Sequence, residues 1–376
     1  MSAENSGAPA PRRLRLCFFN TWARDLEDAA SYVARVPAID LRPLVSDPRD
    51  QALLCKARLD CDWYGENTRC FLMLSHPGLQ FLPAWVTGAA GLLDLARTPR
   101  EPGEERWLVT IGHQPQSLGA AAGRTFELLR RFGVRHLLYS YDEASRSMTC
   151  FRDIAPHLDI LIHDESPLDP RARETLPPRC LTMQRSWVAN LQPFSVPFEN
   201  DPEPRLLFLG SEMGFTPHRR RQVEFLQQHL RDRFVAIHDH SVPVGEKTRL
   251  AARFKASLCP EGRMFATPAM SSAHTDRPFW SGCLGLVPVS ENSRAGGRLE
   301  ELSRAGLIRR YPHGDLPALL ADCERALAAT TTERRRIYDH FNTHETVGSV
   351  VAGALAAAAK ASATAAAAER SCAVSA

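Results

Sequence analysis

Residues 192–204 read QPFSVPFENDPEP, with four prolines in the twelve positions from 193 to 204. Each proline fixes φ and lacks an N–H, so the segment is unfit for a helix interior or a central strand. Apolar runs on its two sides must therefore find their cores separately, and the segment reads as an interdomain linker. Both sides begin alike, with a short apolar strand followed by a helix. That repetition constrains the fold more than any other feature of the chain.

On the first side, LRLCFFN (14–20) reads as a strand, with a helix from about Asp25. WLVTIGHQ (107–114) is a strand, 117–133 a helix ending on glycine, RHLLYSYD (135–142) a strand, CFRDIAPH (150–157) a short helix and LDILIHD (158–164) a strand. This alternation is the pattern of a parallel sheet covered by helices. Between residues 40 and 105 the periodicity is weaker; FLMLSHP (71–77) is expected as a strand and LPAWVTGAAGLLDLA (82–96) as a helix. On the second side, RLLFLGS (205–211) is a strand. TPHRRRQVEFLQQHLRDRF (216–234) is a helix with Thr216 as N-cap, Pro217 at the first helical position and a stripe of Val223, Leu226, Leu230 and Phe234. Strands FVAIHD, ASLCPEG, LVPV and LIRRYP then alternate with helices EKTRLAARFK, GRLEELSRAG and DLPALLADCERALAA.

The expected organisation is a disordered start (1–12), a first Rossmann-like domain (13–192), the linker (193–204), a second Rossmann-like domain (205–346) and an alanine-rich tail (347–376). The tail is expected to be a frayed helix or disordered, since alanine offers little apolar area. A length of 376 residues suits two domains. With 44% hydrophobic and 24% charged residues the chain reads as a soluble globular protein. Its 46 basic and 43 acidic residues nearly cancel, which argues against nucleic acid or a membrane surface as partner, and the basic run 218–221 reads as a solvated helix face. Ten cysteines without a C-x-x-C pair argue against zinc ribbons and redox dithiols, and they suit a reducing compartment. Neither a signal-peptide core nor a run of about 18 strongly apolar residues is visible. A cytoplasmic location is expected.

Two α/β domains on a hinge create a cleft at the carboxyl ends of their parallel strands, where open α/β folds bind ligands. The segment HTDRPFWSGCLGLVPV (274–289) places Arg277-Pro278 at the start of a short helix, a position suited to an anion, with Gly285 expected to let the helix pack against a buried strand at 286–289. No G-x-S-x-G elbow, Walker loop or strand-registered G-x-G-x-x-G is present. Hydrolase, kinase and dehydrogenase readings thereby lose their usual handles.

These residues carry a resemblance. RLLFLGS…PHRRRQVEFL, the strand FKASLCPEG (254–262) and the loop HTDRPFWSGCLGLVPV resemble the donor domain of GT-B glycosyltransferases, nearest to exostosin-like, CgeB-like and fucosyltransferase family 10 patterns. The resemblance covers about residues 203–330. It implies an α/β GT-B architecture, two Rossmann-like domains with parallel sheets facing across a cleft, and transfer of a sugar from a nucleotide-diphosphate sugar to an acceptor hydroxyl. Thr275, Asp276 and Arg277 resemble a Thr-Glu-Lys motif in which the acid faces the sugar and the base the pyrophosphate. Glu261 matches a position near the donor pocket, and Gly210-Ser211 a loop whose amides touch the diphosphate. Arg219 and Lys255 are added as cations that can stabilise the leaving diphosphate. Many relatives carry a ribose-binding carboxylate three residues after the arginine, where this chain has Trp280. Trp280 or Phe279 can stack on a base or belong to the core.

No metal is required by this reading, and the one D-x-D match, Asp60-Cys61-Asp62, is at chance level. No cofactor is expected beyond the nucleotide sugar as co-substrate. The acceptor stays open among a glycan, a lipid-linked sugar, a protein and a small molecule, as does an inverting or retaining outcome. An inverting transfer needs a general base from the first domain. Candidates at strand ends are Asp164 and Glu165, then His113, with Asp142, Glu143 and His163 behind them; Glu165-Ser-Pro resembles a family 10 triplet. His76, His238 and His240 stay without a role. A nucleotide-sugar epimerase of the same fold and a non-catalytic binding protein are the competing readings.

Overall fold

The computed structural model describes residues 11–20, 74–112, 114–140, 148–163, 168, 170–185, 196–210, 217–237, 244–260, 277–292 and 297–374. In its first part the strands are β1 (Arg12–Asn20), β2 (Leu79–Thr87), β3 (Glu104–Ile111), β4 (Arg135–Tyr139), β5 (Ile160–His163) and β6 (Leu181–Gln184). They pair throughout in parallel, in the order β2-β1-β3-β4-β5-β6. Successive side chains of a strand point to opposite faces. Cys17, Phe19, Leu108, Leu138 and Leu161 accordingly share one face. It is covered by Leu92 and Leu95 of α1 (Gly88–Arg97), Phe126 and Leu129 of α2 (Ala122–Arg131), and Phe151 and Ile154 of the single turn α3 (Phe151–Ile154). A further short helix, α4 (Pro170–Thr175), leads towards β6.

The expected helix over 82–96 is only half a helix. Residues up to Thr87 form β2, at the edge of the sheet, where Pro83 costs no ladder bond on the open side. Of the expected strand 71–77, residues 71–73 lie outside the described residues and 74–77 join no strand, His76 making an isolated bridge to Leu79. The expected helix over 117–133 splits into a 3₁₀ segment, Gln114–Ala121, and α2, with Gly119 non-helical between them.

The second part runs β7 (Glu203–Leu209), α5 (Pro217–Leu230), β8 (Phe234–Ile237), α6 (Val244–Ala252), β9 (Phe254–Cys259), α7 (Arg277–Cys283), β10 (Val287–Asn292), α8 (Gly297–Arg304), β11 (Arg309–Pro312), α9 (Leu316–Leu327), α10 (Thr331–His344) and α11 (Val347–Val374). The strands are again parallel, ordered β11-β10-β9-β7-β8. The stripe Val223, Leu226 and Leu230 is buried on α5 as its spacing predicts, whereas Phe234 already begins β8. A capping box between Thr330 and Glu333 starts α10.

Close packing around α7 depends on Gly282 rather than Gly285. A Cβ on Gly282 would stand 2.5 Å from the Phe341 ring of α10. Gly285 instead supplies a left-handed turn, φ +76°, beside Phe198. The described end of the linker is docked on α10: Phe198 is buried, Arg334 lies over its ring, and Tyr338 Oη donates to the Val196 carbonyl at 2.9 Å. Arg334, itself buried, donates to the carbonyls of Gly285 and Glu199, both at 3.0 Å.

The alanine-rich end corrects its expectation. Val347, Val350, Val351, Ala354, Leu355 and Ala358 form one helical stripe on α11, buried against Leu14, Leu16, Phe18, Trp107, Val109 and Ile160. The last helix therefore covers the remaining face of the first sheet, and Arg12 Nη1 donates to the Ala359 carbonyl at 2.6 Å. At the start of α11 the fully buried Glu345 accepts from Arg298 of α8, through Nε at 3.2 Å and through Nη2, and from Arg185 beyond β6 at 3.4 Å. One carboxylate thus ties elements of both sheets. Among the described residues no helix is long and apolar enough to cross a membrane.

Candidate functional site

Both sheet orders reverse next to their first strand, between β1 and β3 in one and between β7 and β9 in the other. At such a switch point the flanking connections leave to opposite faces and open a crevice at the carboxyl strand ends. In the second sheet the crevice begins at Leu209 and Gly210. Arg277, the first residue of α7, donates through Nε to the Leu209 carbonyl at 3.1 Å, and it forms no ion pair among the described residues. Its guanidinium is thus anchored to β7 while its charge is not neutralised by a described carboxylate.

Arg219 comes from the first turn of α5 and is 3% exposed. Burial, together with the nearby positive charge of Arg277, lowers its pKa to about 10 against the opposing pull of Glu291 and Tyr311. Two guanidinium groups near one another, one of them out of water, are chemistry suited to an anion. The basic run therefore does not lie wholly on a solvated face: Arg220 and Arg221 are exposed, but Arg219 points inward.

Beside the arginines stands a second cluster, from three further strand-end and helix-start positions. Glu291, near the end of β10, is buried, and its Oε1 accepts from Gln222 of α5 at 3.0 Å and from the Gly314 N–H at 3.1 Å. His218 Nε2 and His313 Nδ1 approach the same oxygen at 2.6 and 3.0 Å, and the two imidazoles stack with centroids 4.5 Å apart. None of these residues was singled out as a ligand from the sequence. Glu291 and His313 directly follow the apolar cores of LVPVS and LIRRYP, so the strand-end rule applied to every strand would have marked them.

Of the residues expected in the donor site, Gly210, Arg219 and Arg277 are brought to these carboxyl ends. Gly210 donates to the Ile237 carbonyl at 3.1 Å, and a Cβ there would stand 2.7 Å from the Phe208 ring. Lys255 does not join them. It is the second residue of β9, at the amino end, about 13 Å along the strand from Cys259 at a rise of about 3.3 Å per residue. Ser211, Glu261, Thr275 and Asp276, like the first-domain candidates His113, Asp164 and Glu165, lie outside the described residues. The same holds for Asp142, Glu143, His238, His240 and Asp60-Cys61-Asp62. His163 ends β5 and is buried. Phe279 is core, edge-on to Phe341 at 6.0 Å, and Trp280 packs partly buried against the same core.

No protein-family model matches the chain, and no curated protein matches it. Among solved structures it is similar to an α,α-trehalose 6-phosphate synthase from Burkholderia multivorans, at 9% identity and a TM-score of 0.46 over 95% of this chain and 98% of that one. A glycosyltransferase from Rickettsia africae aligns at 8% identity and a TM-score of 0.47, covering 93% and 98%. Anabaena HepE, crystallised with UDP and glucose, aligns at 8% identity and a TM-score of 0.46, covering 91% and 99%. No residue role is transferred from these likenesses, and the exostosin-like and fucosyltransferase family 10 patterns are not among the three.

Proposed function

We propose that the chain is a glycosyltransferase of GT-B type that takes a nucleotide-diphosphate sugar at the carboxyl ends of its second sheet and passes the sugar to an acceptor hydroxyl. The observation that carries this reading is the pair Arg219 and Arg277 at the β7/β9 switch point, with the charge of Arg219 disfavoured first by burial and then by Arg277. A diphosphate relieves that repulsion, and the relief grows as charge develops on the leaving group in the transition state. The arginines supply this charge themselves, so the reading assigns the transfer step no metal. The same reading assigns Gly210 and Ser211 to the diphosphate. Glu261, Thr275 and Asp276 belong to the sugar side, and the general base comes from Asp164, Glu165 or His113. The acceptor is a glycan, a lipid-linked sugar, a protein or a small molecule. The six free cysteines among the described residues support a reducing, cytoplasmic setting.

Calorimetric titration of the purified chain with UDP, GDP, dTDP and their sugars tests the reading. One nucleotide family is expected to bind, and Arg277→Ala to weaken that binding at least tenfold with the fold intact. Equal affinity in the variant removes the anion site from the donor.

A further inference from the structure

Glu291, His218 and His313 form an arrangement that hydrogen bonding alone satisfies poorly. Oε1 of the buried carboxylate is within bonding distance of four nitrogen atoms, His218 Nε2, Gln222 Nε2, His313 Nδ1 and the Gly314 N–H. Oε2 is equally buried and has no hydrogen-bond partner among the described residues. Four donors on one oxygen and none on the other is a lopsided use of a buried carboxylate.

His218 Nε2 lies 2.6 Å from Glu291 Oε1 and 3.0 Å from Gln222 Nε2. With a proton on Nε2 the imidazole and the Gln222 amide both donate to Oε1; with Nε2 bare, two acceptors meet at 2.6 Å. A cation can stand in place of the imidazole protons. It takes the lone pairs of His218 Nε2 and His313 Nδ1 and one carboxylate oxygen, and Gln222 and Gly314 keep donating to Glu291 as its orienting partners.

We infer that His218, Glu291 and His313 form a binding site for a divalent transition-metal ion of the zinc class. The three ligand atoms lie within 4.8 Å of one another, the only such grouping among the described residues. Two imidazoles and a carboxylate are a borderline-soft set that suits zinc, with bonds of about 2.0–2.2 Å, and three protein ligands leave the fourth position of a tetrahedron open to water or an anion's oxygen. Such bonds place neighbouring ligand atoms roughly 3.3 Å apart, so the present 2.6 and 3.0 Å separations open by about 0.7 and about 0.3 Å on binding. His313 and His218 are partly exposed, giving the ion a way in, while Glu291 is the buried anchor. The ion would fasten the start of α5, the end of β10 and the turn after β11 beside the arginine pair. This differs from the sequence-based expectation of no metal, and it does not depend on the donor assignment.

The test uses the full chain, free of any histidine tag, stripped with chelator and titrated with cobalt(II) and zinc(II) in the absence of nucleotide. We expect one equivalent of cobalt with the visible absorption of a four-coordinate ion, displaced by zinc, and metal content near one zinc per chain by mass spectrometry. His313→Ala, whose side chain is half-exposed, and Glu291→Gln are each expected to weaken binding at least tenfold, and His229→Ala on the same helix α5 to leave it unchanged. Absence of stoichiometric binding overturns the site. So does binding that His313→Ala leaves untouched, or a His313→Ala variant whose only change is a lowered melting temperature. Because no nucleotide is present, failure here and failure of the donor reading are read separately.

Discussion

Arginines gather at two places in this molecule, and their company differs. At the amino ends of the first sheet, Arg12, Arg13, Arg15, Arg106 and Arg135 interleave with Glu101, Glu104 and Glu105. Asp159 sits among Arg130, Arg135 and Arg179. Arg106 is buried there with its Nε on Glu104 at 2.7 Å and its other nitrogens on the carbonyls of Leu95, Thr98 and Pro99. At the carboxyl ends of the second sheet, Arg277 has a single described carbonyl, and burial first, then Arg277, lowers the pKa of Arg219. The first group lies among described carboxylates on every side, whereas Arg277 forms no ion pair among the described residues and Arg219 is nearly out of water. Positive charge alone marks neither; what surrounds it distinguishes them.

Removing one partner from the compensated group should have the largest effect. Glu104→Ala leaves Arg106 buried without its carboxylate and is expected to cost about 3–5 kcal/mol in urea unfolding, because Glu104 is 6% exposed and bonded to both Arg15 and Arg106. A loss under about 1 kcal/mol would place this cluster with ordinary surface pairs.

The matching change in the other group should leave stability level. Arg277→Ala relieves Arg219 of a like charge, so the urea midpoint is expected to hold or rise. Donor affinity falls by about 1.5–3 kcal/mol, roughly 10- to 100-fold, as expected for hydrogen bonds to a charged group. A variant that unfolds instead would show Arg277 to be structural and erase the contrast.

Acid should separate the two regions next. Burial pushes the Glu104 carboxyl up, but the bonds from Arg15 and Arg106 outweigh it and hold it below the ordinary range. Its contribution is present above the ordinary carboxylate pKa and is lost as pH falls below that range, down through the lowered folded value. Close by, His136 is fully buried, and burial, then Arg130 and His157, depress its pKa from 6.5 to about 3. As pH falls below 6.5 the unfolded chain takes up this proton and the folded chain does not until about 3. Stability therefore declines with acid across that window, by about 1.4 kcal/mol per pH unit for one proton. His136→Gln should flatten the dependence measured between neutral pH and about 5, the interval in which the unfolded imidazole titrates. Arg219, with a pKa of about 10, stays charged throughout and adds no slope. An unchanged slope in His136→Gln would assign the acid sensitivity elsewhere.

The smallest effect calibrates the rest. Arg131 and Glu127 pair at 2.5 Å on the solvent side of α2, and Arg131→Ala should cost only about 0.3–0.5 kcal/mol by the same unfolding measurement. A loss as large as that of Glu104→Ala would mean that ion pairing, rather than burial of the pair, sets the scale.

Much of this was legible along the chain. The stripe Val223, Leu226, Leu230 announced α5, and the apolar cores of β7, β9 and β10 announced a second parallel sheet. Arg277 stood out as the first residue of a short helix suited to an anion, and Arg219 as a cation able to stabilise a diphosphate; the fold brings both to the same strand ends. Lys255 was misplaced for want of direction: it precedes β9 rather than following it, and a strand has a chemical end and a structural beginning. Residues 82–87 were read as helix because small and apolar residues follow Pro83 without a clear alternation, yet an edge position tolerates the proline.

The alanine-rich end shows the limit most plainly. Its stripe at 347, 350, 351, 354, 355 and 358 has helical spacing, but alanine's small area is weak evidence of burial until a flat apolar surface is known to await it. That surface, one face of the first sheet, is built by residues at the other end of the chain. In the same way, His218, Glu291 and His313 stand on three separate elements, and only the order β11-β10-β9-β7-β8 makes their ends neighbours. Local periodicity by itself determined where most helices and strands run and which of their faces are apolar, because those follow from the repeat of helix and strand. Which element covers which face, and which strand ends meet, was decided by the tertiary structure, since those contacts depend on sheet order and no local repeat encodes it.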